Sequence, residues 1–169
     1  TATLIGPDGA DRPLLSAIRA RLAGGAVIGG TSAGAAIMTD PMIASGIAVA
    51  DAPVSLLKVG ESGRDEGPVA LAPGLGFLPG ALSDQHFGER RRLGRLLQAL
   101  AAPPAAGRTG LGIDEDTALV VDLASGEARV VGRGTVWRVE AGTQPPAVRR
   151  YRQGERFSLT AAAGAPRDD

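Results

Sequence analysis

Ser32 lies in Gly30-Thr31-Ser32-Ala33-Gly34, a G-x-S-x-G pattern, and His86 is the only histidine among 169 residues. A hydroxyl becomes a useful nucleophile near neutral pH when a base takes its proton, and histidine is the usual base. In a G-x-S-x-G arrangement, a sharp strand-to-helix turn lifts the serine above a sheet edge. The amide after the nucleophile, here Ala33, then points to where an oxyanion forms, aided by the positive end of the following helix. The simpler reading is a small-residue turn in which Ser32 only caps that helix. A lone histidine is also more often structural than catalytic. The two together in one chain favour a nucleophile and its base.

Such a pair wants a carboxylate to hold the imidazole tautomer and stabilise its charged form. Asp114-Glu115-Asp116 offers three, just after the apolar run Gly110 to Ile113. Strand alternation puts 114 and 116 on one side and 115 on the other, so spacing alone leaves the choice open. Arg90, Arg91, Arg92 and Arg95 follow His86 closely. They read either as a solvated helix face or as part of a pocket for an acidic group, since arginine grips carboxylates with two parallel hydrogen bonds. Arg92 and Arg95 share a helix face at i, i+3, Arg90 would reach in from the turn after His86, and Arg91 faces solvent.

The elements that must position these groups alternate between helix and strand. Leu14 to Leu22 has helical spacing closed by Gly24-Gly25. Ala26 to Ile28 reads as a buried strand leading into the Ser32 turn, and Ala33 to Met38 as the helix after it. Ile43 to Ala72 lacks a clear period, and Glu61 to Gly67 reads as an exposed loop. Leu71 to Pro79 is too rich in Gly and Pro for a helix. Ala81 to Asp84 is a strand running straight into Gln85-His86. Glu89 to Leu100 is a helix with Leu93, Leu96, Leu97 and Leu100 on one side, ended by Pro103-Pro104. Gly110 to Ile113 is a further strand. Ala118 to Leu123, Ala128 to Val131 and Thr135 to Val139 read as hairpin strands, with another within Tyr151 to Leu159. The last ten residues read as frayed.

Residues 1–169 have the size of one domain. The chain is 44% hydrophobic but 3% aromatic, so its core rests on Leu, Val, Ile and Ala. Eighteen basic and eighteen acidic residues balance, which offers no general attraction to nucleic acid or an anionic membrane. Without cysteine there is no disulfide, thiol nucleophile or thiolate-bound metal. No apolar run reaches the roughly 20 residues of a membrane helix. The first residue is Thr rather than Met, so the natural start is expected upstream of it; no signal-peptide pattern is present in these residues, and a cytoplasmic location is the expectation.

Three blocks in order resemble the signature regions of the cyanophycinases: Gly30 to Met38, Asp84-Gln-His-Phe with the spaced arginines to Arg95, and Gly112 to Ala118. These enzymes belong to a serine peptidase family that also contains α-aspartyl dipeptidases. Leu71 to Gly80 and Val148 to Phe157 are similar to the same family. The resemblance implies an α/β fold, a flavodoxin-like (class I glutamine amidotransferase-like) three-layer sandwich with a mainly parallel sheet and C-terminal hairpins. It also implies a Ser32–His86–Glu115 triad, a pocket lined by Gln85, Arg90, Arg92 and Arg95, no metal or cofactor, and a homodimer. The implied substrate is an acidic peptide, namely β-aspartyl-arginine units of an arginine-decorated polyaspartate polymer. Relatives carry a further segment upstream with a Gly-Gly-Asp-Gln loop that helps form the oxyanion hole. That segment is expected as a missing part of the same chain or as a second chain. An acidic residue that contacts the substrate arginine in those enzymes is replaced by the stretch Ser45-Gly-Ile-Ala-Val49, which loosens the expectation of arginine specificity.

Three alternatives compete with this reading. One is an aspartyl dipeptidase with another substrate, one is a binding protein that kept the fold and lost turnover, and one is an N-terminal Thr1 nucleophile using its own α-amine. Residues 1–169 expressed alone are expected to be inactive or poorly soluble, because a buried parallel strand at 26–28 needs neighbours on both sides. Co-expression with the upstream segment is expected to restore a soluble, active particle. A fully active monomer of 169 residues would overturn that expectation.

Overall fold

The computed structural model describes residues 3–46, 68–142 and 145–159. Helix α1 spans Pro13–Ala23, with Pro13 in the first turn, where its missing N–H leaves no bond unmade. It buries Leu15 against Leu75 and Phe77. Helix α2 is the single turn Ala33–Ala36. Strands β1 (Met42–Ser45) and β2 (Ala70–Ala72) form a small antiparallel ladder.

The sheet that carries the site is built from β3 (Ala81–Gln85), β4 (Thr109–Ile113), β7 (Val136–Glu140) and β8 (Ala147–Tyr151), in that order. Strands β3 and β4 are parallel, joined by helix α3 (Leu93–Ala101), and β7 and β8 add antiparallel ladders. Strands β5 (Thr117–Val121), β6 (Glu127–Gly132) and β9 (Arg156–Ser158) form a second, antiparallel sheet. Alternation along the strands sorts side chains between two cores. Leu82 and Val139 pack under Leu96, Ala99 and Leu100 of α3. Ala81, Leu111 and Val136 pack against Ala128, Val130 and Phe157 of the second sheet. The result is a mixed α/β fold with α3 on one side of the site-bearing sheet and a small sheet on the other.

Glycine on β4 sets how closely α3 can approach. A Cβ at Gly110 would lie 2.7 Å from Leu100, and one at Gly112 would lie 2.3 Å from the Phe87 ring. Leu96 and Leu100 are almost fully buried, each contributing on the order of 1.5–3 kcal/mol.

The structure departs from the sequence reading at several places. Residues 26–28 form no strand, and Val27 is 96% exposed. A strand exists through ladder bonds, and no described segment pairs with this stretch. A groove of about 660 Å³, bounded by Leu22, Ile28, Met38, Phe77, Leu119 and Val121, runs beside it. The helix after Ser32 ends at Ala36 rather than Met38. Helix α3 begins at Leu93 instead of Glu89, because residues 89–92 form turns and Arg91 has a left-handed φ of 51°. Strand β2 and all of β1 but Met42 lie inside a region read as having no period. Strand β7 does not continue the β5–β6 hairpin but crosses to the other sheet, beside β4. The exposed loop expected at 61–67, most of the 45–49 stretch and the C-terminal residues from 160 lie outside the described residues. Among the described residues no helix is long and apolar enough to cross a membrane.

A buried ion pair locks α3 onto β3. The Asp84 carboxylate is fully buried and receives Arg95 Nε at 2.8 Å and Nη2 at 2.5 Å, a two-point grip, with Arg92 Nη1 3.6 Å away. Arg95 Nη1 also donates to the Gly46 carbonyl at 2.8 Å, and Arg92 Nη1 to the Gln85 carbonyl at 2.7 Å. Removing one partner of a buried pair strands the other charge in a low-dielectric interior. Arg95→Met is therefore expected to destabilise the protein by about 3–5 kcal/mol in urea unfolding. The exposed Arg91→Ala should stay within about 0.5 kcal/mol. Equal stability of the two variants, with a raised KM for Arg95→Met alone, would return Arg95 to the substrate.

Candidate active site

Parallel β3 and β4 end at the same edge of the sheet, Gln85 opposite Ile113. Their next residues, His86 on one strand and Asp114 to Asp116 on the other, leave the sheet side by side, where active sites of α/β folds gather. The Phe87 N–H donates to the Ile113 carbonyl at 3.1 Å and holds the two exits together. Ser32 comes to the same edge from α2. Its φ of 53° and ψ of −122° are those of a strained elbow, and a Cβ at Gly30 would lie 2.1 Å from the Gly34 carbonyl oxygen. Gly30 is thus required by close backbone approach, whereas a Cβ at Gly34 meets no atom within 4 Å.

Ser83 of β3 fixes the elbow to the strand that carries His86. Its buried hydroxyl donates to the Ala35 carbonyl at 2.9 Å, with the Ala36 carbonyl at 3.4 Å. The sequence reading gave Ser83 no part. The available signal was a hydroxyl inside an otherwise apolar strand, which needs a partner when buried.

Ser32 Oγ is 3.1 Å from His86 Nε2, and His86 Nδ1 is 2.7 Å from Glu115 Oε1. A carboxylate oxygen accepts, so Nδ1 bears the imidazole proton and Nε2 offers its lone pair to the serine hydroxyl. Three of the four non-glycine residues with positive φ among those described, Ser32, His86 and Asp116, line one pocket of about 270 Å³. Glu115 is half exposed, so solvent screens its contact with His86, which serves orientation more than stability. The Ala33 amide beside Ser32 has no acceptor among the described residues. Helix α2 is one turn long, so it brings no long helix dipole to the serine.

The sequence-derived candidates separate into two groups. Ser32, His86, Glu115 and Gln85 line the pocket together. The Gln85 Oε1 atom has no partner within the described protein. Arg90 lies exposed on the turn after His86 and does not line this pocket. Arg92 and Arg95 turn away from it into the interior, 5% and 3% exposed, bound to Asp84 and to backbone carbonyls. Of the acidic triplet, Glu115 faces His86 while the Asp114 carboxylate accepts three N–H groups of the protein. No cluster of possible metal ligands occurs among the described residues.

Comparison with known proteins places this arrangement in a family. A profile of Peptidase family S51 matches residues 10–128, which include every residue of the Ser32, His86 and Glu115 relay. Cyanophycinase of Synechococcus elongatus is 43% identical over 135 residues, covering 77% of this chain and 36% of that protein. Cyanophycinase of Geminocystis herdmanii is 44% identical over 132 residues, covering 78% of this chain and 43% of the relative. The chain thus spans less than half the length of these curated relatives. A crystal structure of a peptidase from an acI-B1 Actinobacterium superposes with a TM-score of 0.50 at 20% identity, over 75% of this chain and 43% of that one. At that identity the likeness concerns the fold, which is mixed α/β in this chain too. On the family profile, which takes in most of the chain, the protein belongs to peptidase family S51.

Proposed function

We propose that the protein containing this chain is a serine-type exopeptidase that hydrolyses aspartyl peptide bonds in the manner of a cyanophycinase, with Ser32, His86 and Glu115 as its triad. The observation that carries the reading is the continuous relay from Ser32 Oγ through the imidazole to Glu115, with contacts of 3.1 and 2.7 Å. In this mechanism Ser32 Oγ attacks the scissile carbonyl carbon as His86 Nε2 takes its proton. Glu115 holds the ring and stabilises the imidazolium. The Ala33 N–H donates to the oxyanion of the tetrahedral intermediate. His86 then protonates the leaving amine, leaving an acyl group on Ser32. Water enters, gives its proton to His86, and releases the acid product and the free hydroxyl.

Gln85 lines the pocket and is the candidate for substrate contact, a role that requires its buried amide oxygen, unpartnered in the described protein, to turn towards the pocket. Arg90 lies outside the pocket lining, on the exposed turn after His86, and is a candidate contact for a substrate that extends beyond the pocket. The burial of Arg92 and Arg95 favours a reading in which neither grips the substrate directly. Substrate choice then falls to other groups, which also keeps an aspartyl dipeptidase with a different leaving residue in view.

Ser32→Ala and His86→Ala are each expected to lower kcat by about 10⁴-fold or more in the intact protein, without unfolding it. Glu115→Gln should cost less than either and more than Asp114→Asn or Asp116→Asn. Hydrolysis of a β-aspartyl-arginine dipeptide, followed beside its aspartate-amidated analogue, measures both turnover and the demand for an acidic group. Labelling of Thr1 rather than Ser32 by a serine-directed inhibitor, or hydrolysis surviving in Ser32→Ala, would sink the assignment.

A further inference from the structure

The acidic turn holds a second carboxylate that has no part in the relay described above. Asp114 Oδ1 accepts the Gly88 N–H at 2.8 Å and the Trp137 indole N–H at 3.1 Å, and its Oδ2 accepts the Thr135 N–H at 3.0 Å. Gly88 lies two residues beyond His86, and Asp114 directly precedes Glu115. One side chain therefore spans the loop that carries the base, the turn that carries its carboxylate, and the entry to β7. The fit is close, since a Cβ at Gly88 would lie 2.9 Å from Asp114 Oδ1 and one at Gly134 would lie 2.8 Å from Asp114 Cβ. The backbone reinforces it, with the Asp114 N–H donating to the Thr135 carbonyl at 3.1 Å. On the far side of Glu115, the Thr117 hydroxyl donates to the Glu115 carbonyl at 2.9 Å and accepts the Gly134 N–H at 2.8 Å.

We propose that Asp114 is the positioning residue of the His86–Glu115 pair, an inference that rests on the triad reading given above. Both its oxygens are occupied by protein N–H groups, so it acts through the pair and not on substrate. A carboxylate suits this place and an amide does not. Donors approach both oxygens, and an asparagine would turn its NH₂ group towards one of them in either orientation. Without the tie, the loop after His86 loses the side-chain link from Gly88 to the turn that carries Glu115, while the Phe87 N–H still meets the Ile113 carbonyl. The imidazole can then turn away from Glu115, and a displacement of about 1 Å at a reacting group costs about 10²-fold in rate.

Because His86 is the only histidine, its imidazole gives a single signature in long-range ¹H–¹⁵N spectra of the intact protein, which reports which ring nitrogen carries the proton. The native neutral ring is expected to be protonated at Nδ1. Asp114→Asn is expected to give a mixture of tautomers and a kcat about 10²-fold lower, with KM unchanged. Trp137→Phe removes one donor while keeping a ring against Phe87, and should give a smaller change of the same kind in both readouts. A native tautomer and native kcat in folded Asp114→Asn overturn the proposal and assign Asp114 to the packing of β7. If that variant does not fold, native values in Trp137→Phe overturn it instead. Failure of the triad reading is seen separately, as hydrolysis retained by Ser32→Ala, and leaves the tautomer measurement informative.

Discussion

The register in which β3 and β4 lie side by side decides what can happen at the pocket. His86 and Glu115 are 29 residues apart in the chain, yet they meet because parallel strands leave the sheet at the same edge. A slip of one residue would turn every side chain of β3 to the opposite face. Two features hold the register. Glycine at 110 and 112 lets Leu96, Leu100 and Phe87 descend onto β4, and bulk at either position would lift α3 and with it the end of β3. The Asp84–Arg95 pair then fixes α3 along the strand, since a two-point grip leaves little freedom to slide.

Strain at the site is the counterpart of this rigidity. Ser32, His86 and Asp116 all adopt left-handed φ, each at a cost on the order of 1–3 kcal/mol. Such conformations persist where the surroundings over-determine them, and each has its own restraint. The elbow is held from below by the Ser83 hydroxyl, and His86 by the Phe87 and Gly88 amides that follow it. The Asp116 carbonyl receives the Arg133 N–H at 3.0 Å. Strained backbone aims side chains away from the faces that strand alternation would give them, and both ends of the 3.1 Å Ser32–His86 contact carry it.

Much of this was legible in the residues themselves. The G-x-S-x-G pattern carried the elbow, and a lone histidine at a strand end was the candidate base; both signals have short-range causes, and the fold brings Ser32 and His86 within 3.1 Å. Spacing could not choose among Asp114, Glu115 and Asp116, since that choice depends on how the turn after β4 is tied to β7, a contact across more than twenty residues. The strand expected at 26–28 failed for a different reason. An apolar run signals burial, but a ladder needs a partner, and none of the described segments supplies one. Strand β7 was read as the next hairpin strand because short β segments with turns between them do not reveal a change of sheet.

The arginines show most clearly how a local reading misses a buried network. A solvated face and a substrate clamp both assume that the cluster points outward, yet Arg92 and Arg95 point in. The cause is visible in β3 once its alternation is followed. Leu82 and Asp84 share the face under α3, while Ala81, Ser83 and Gln85 face the second core, the elbow and the pocket. An aspartate beside a core leucine must be paired, and the helix that covers it supplies the cations. Buried ion pairs add little to stability compared with an apolar pair of the same shape, but they discriminate between registers. Here a slipped β3 would bury Asp84 without Arg95 and leave the Ser83 hydroxyl without its carbonyls. The polar residues of this strand thus disfavour the alternatives to the one register in which His86 meets Ser32.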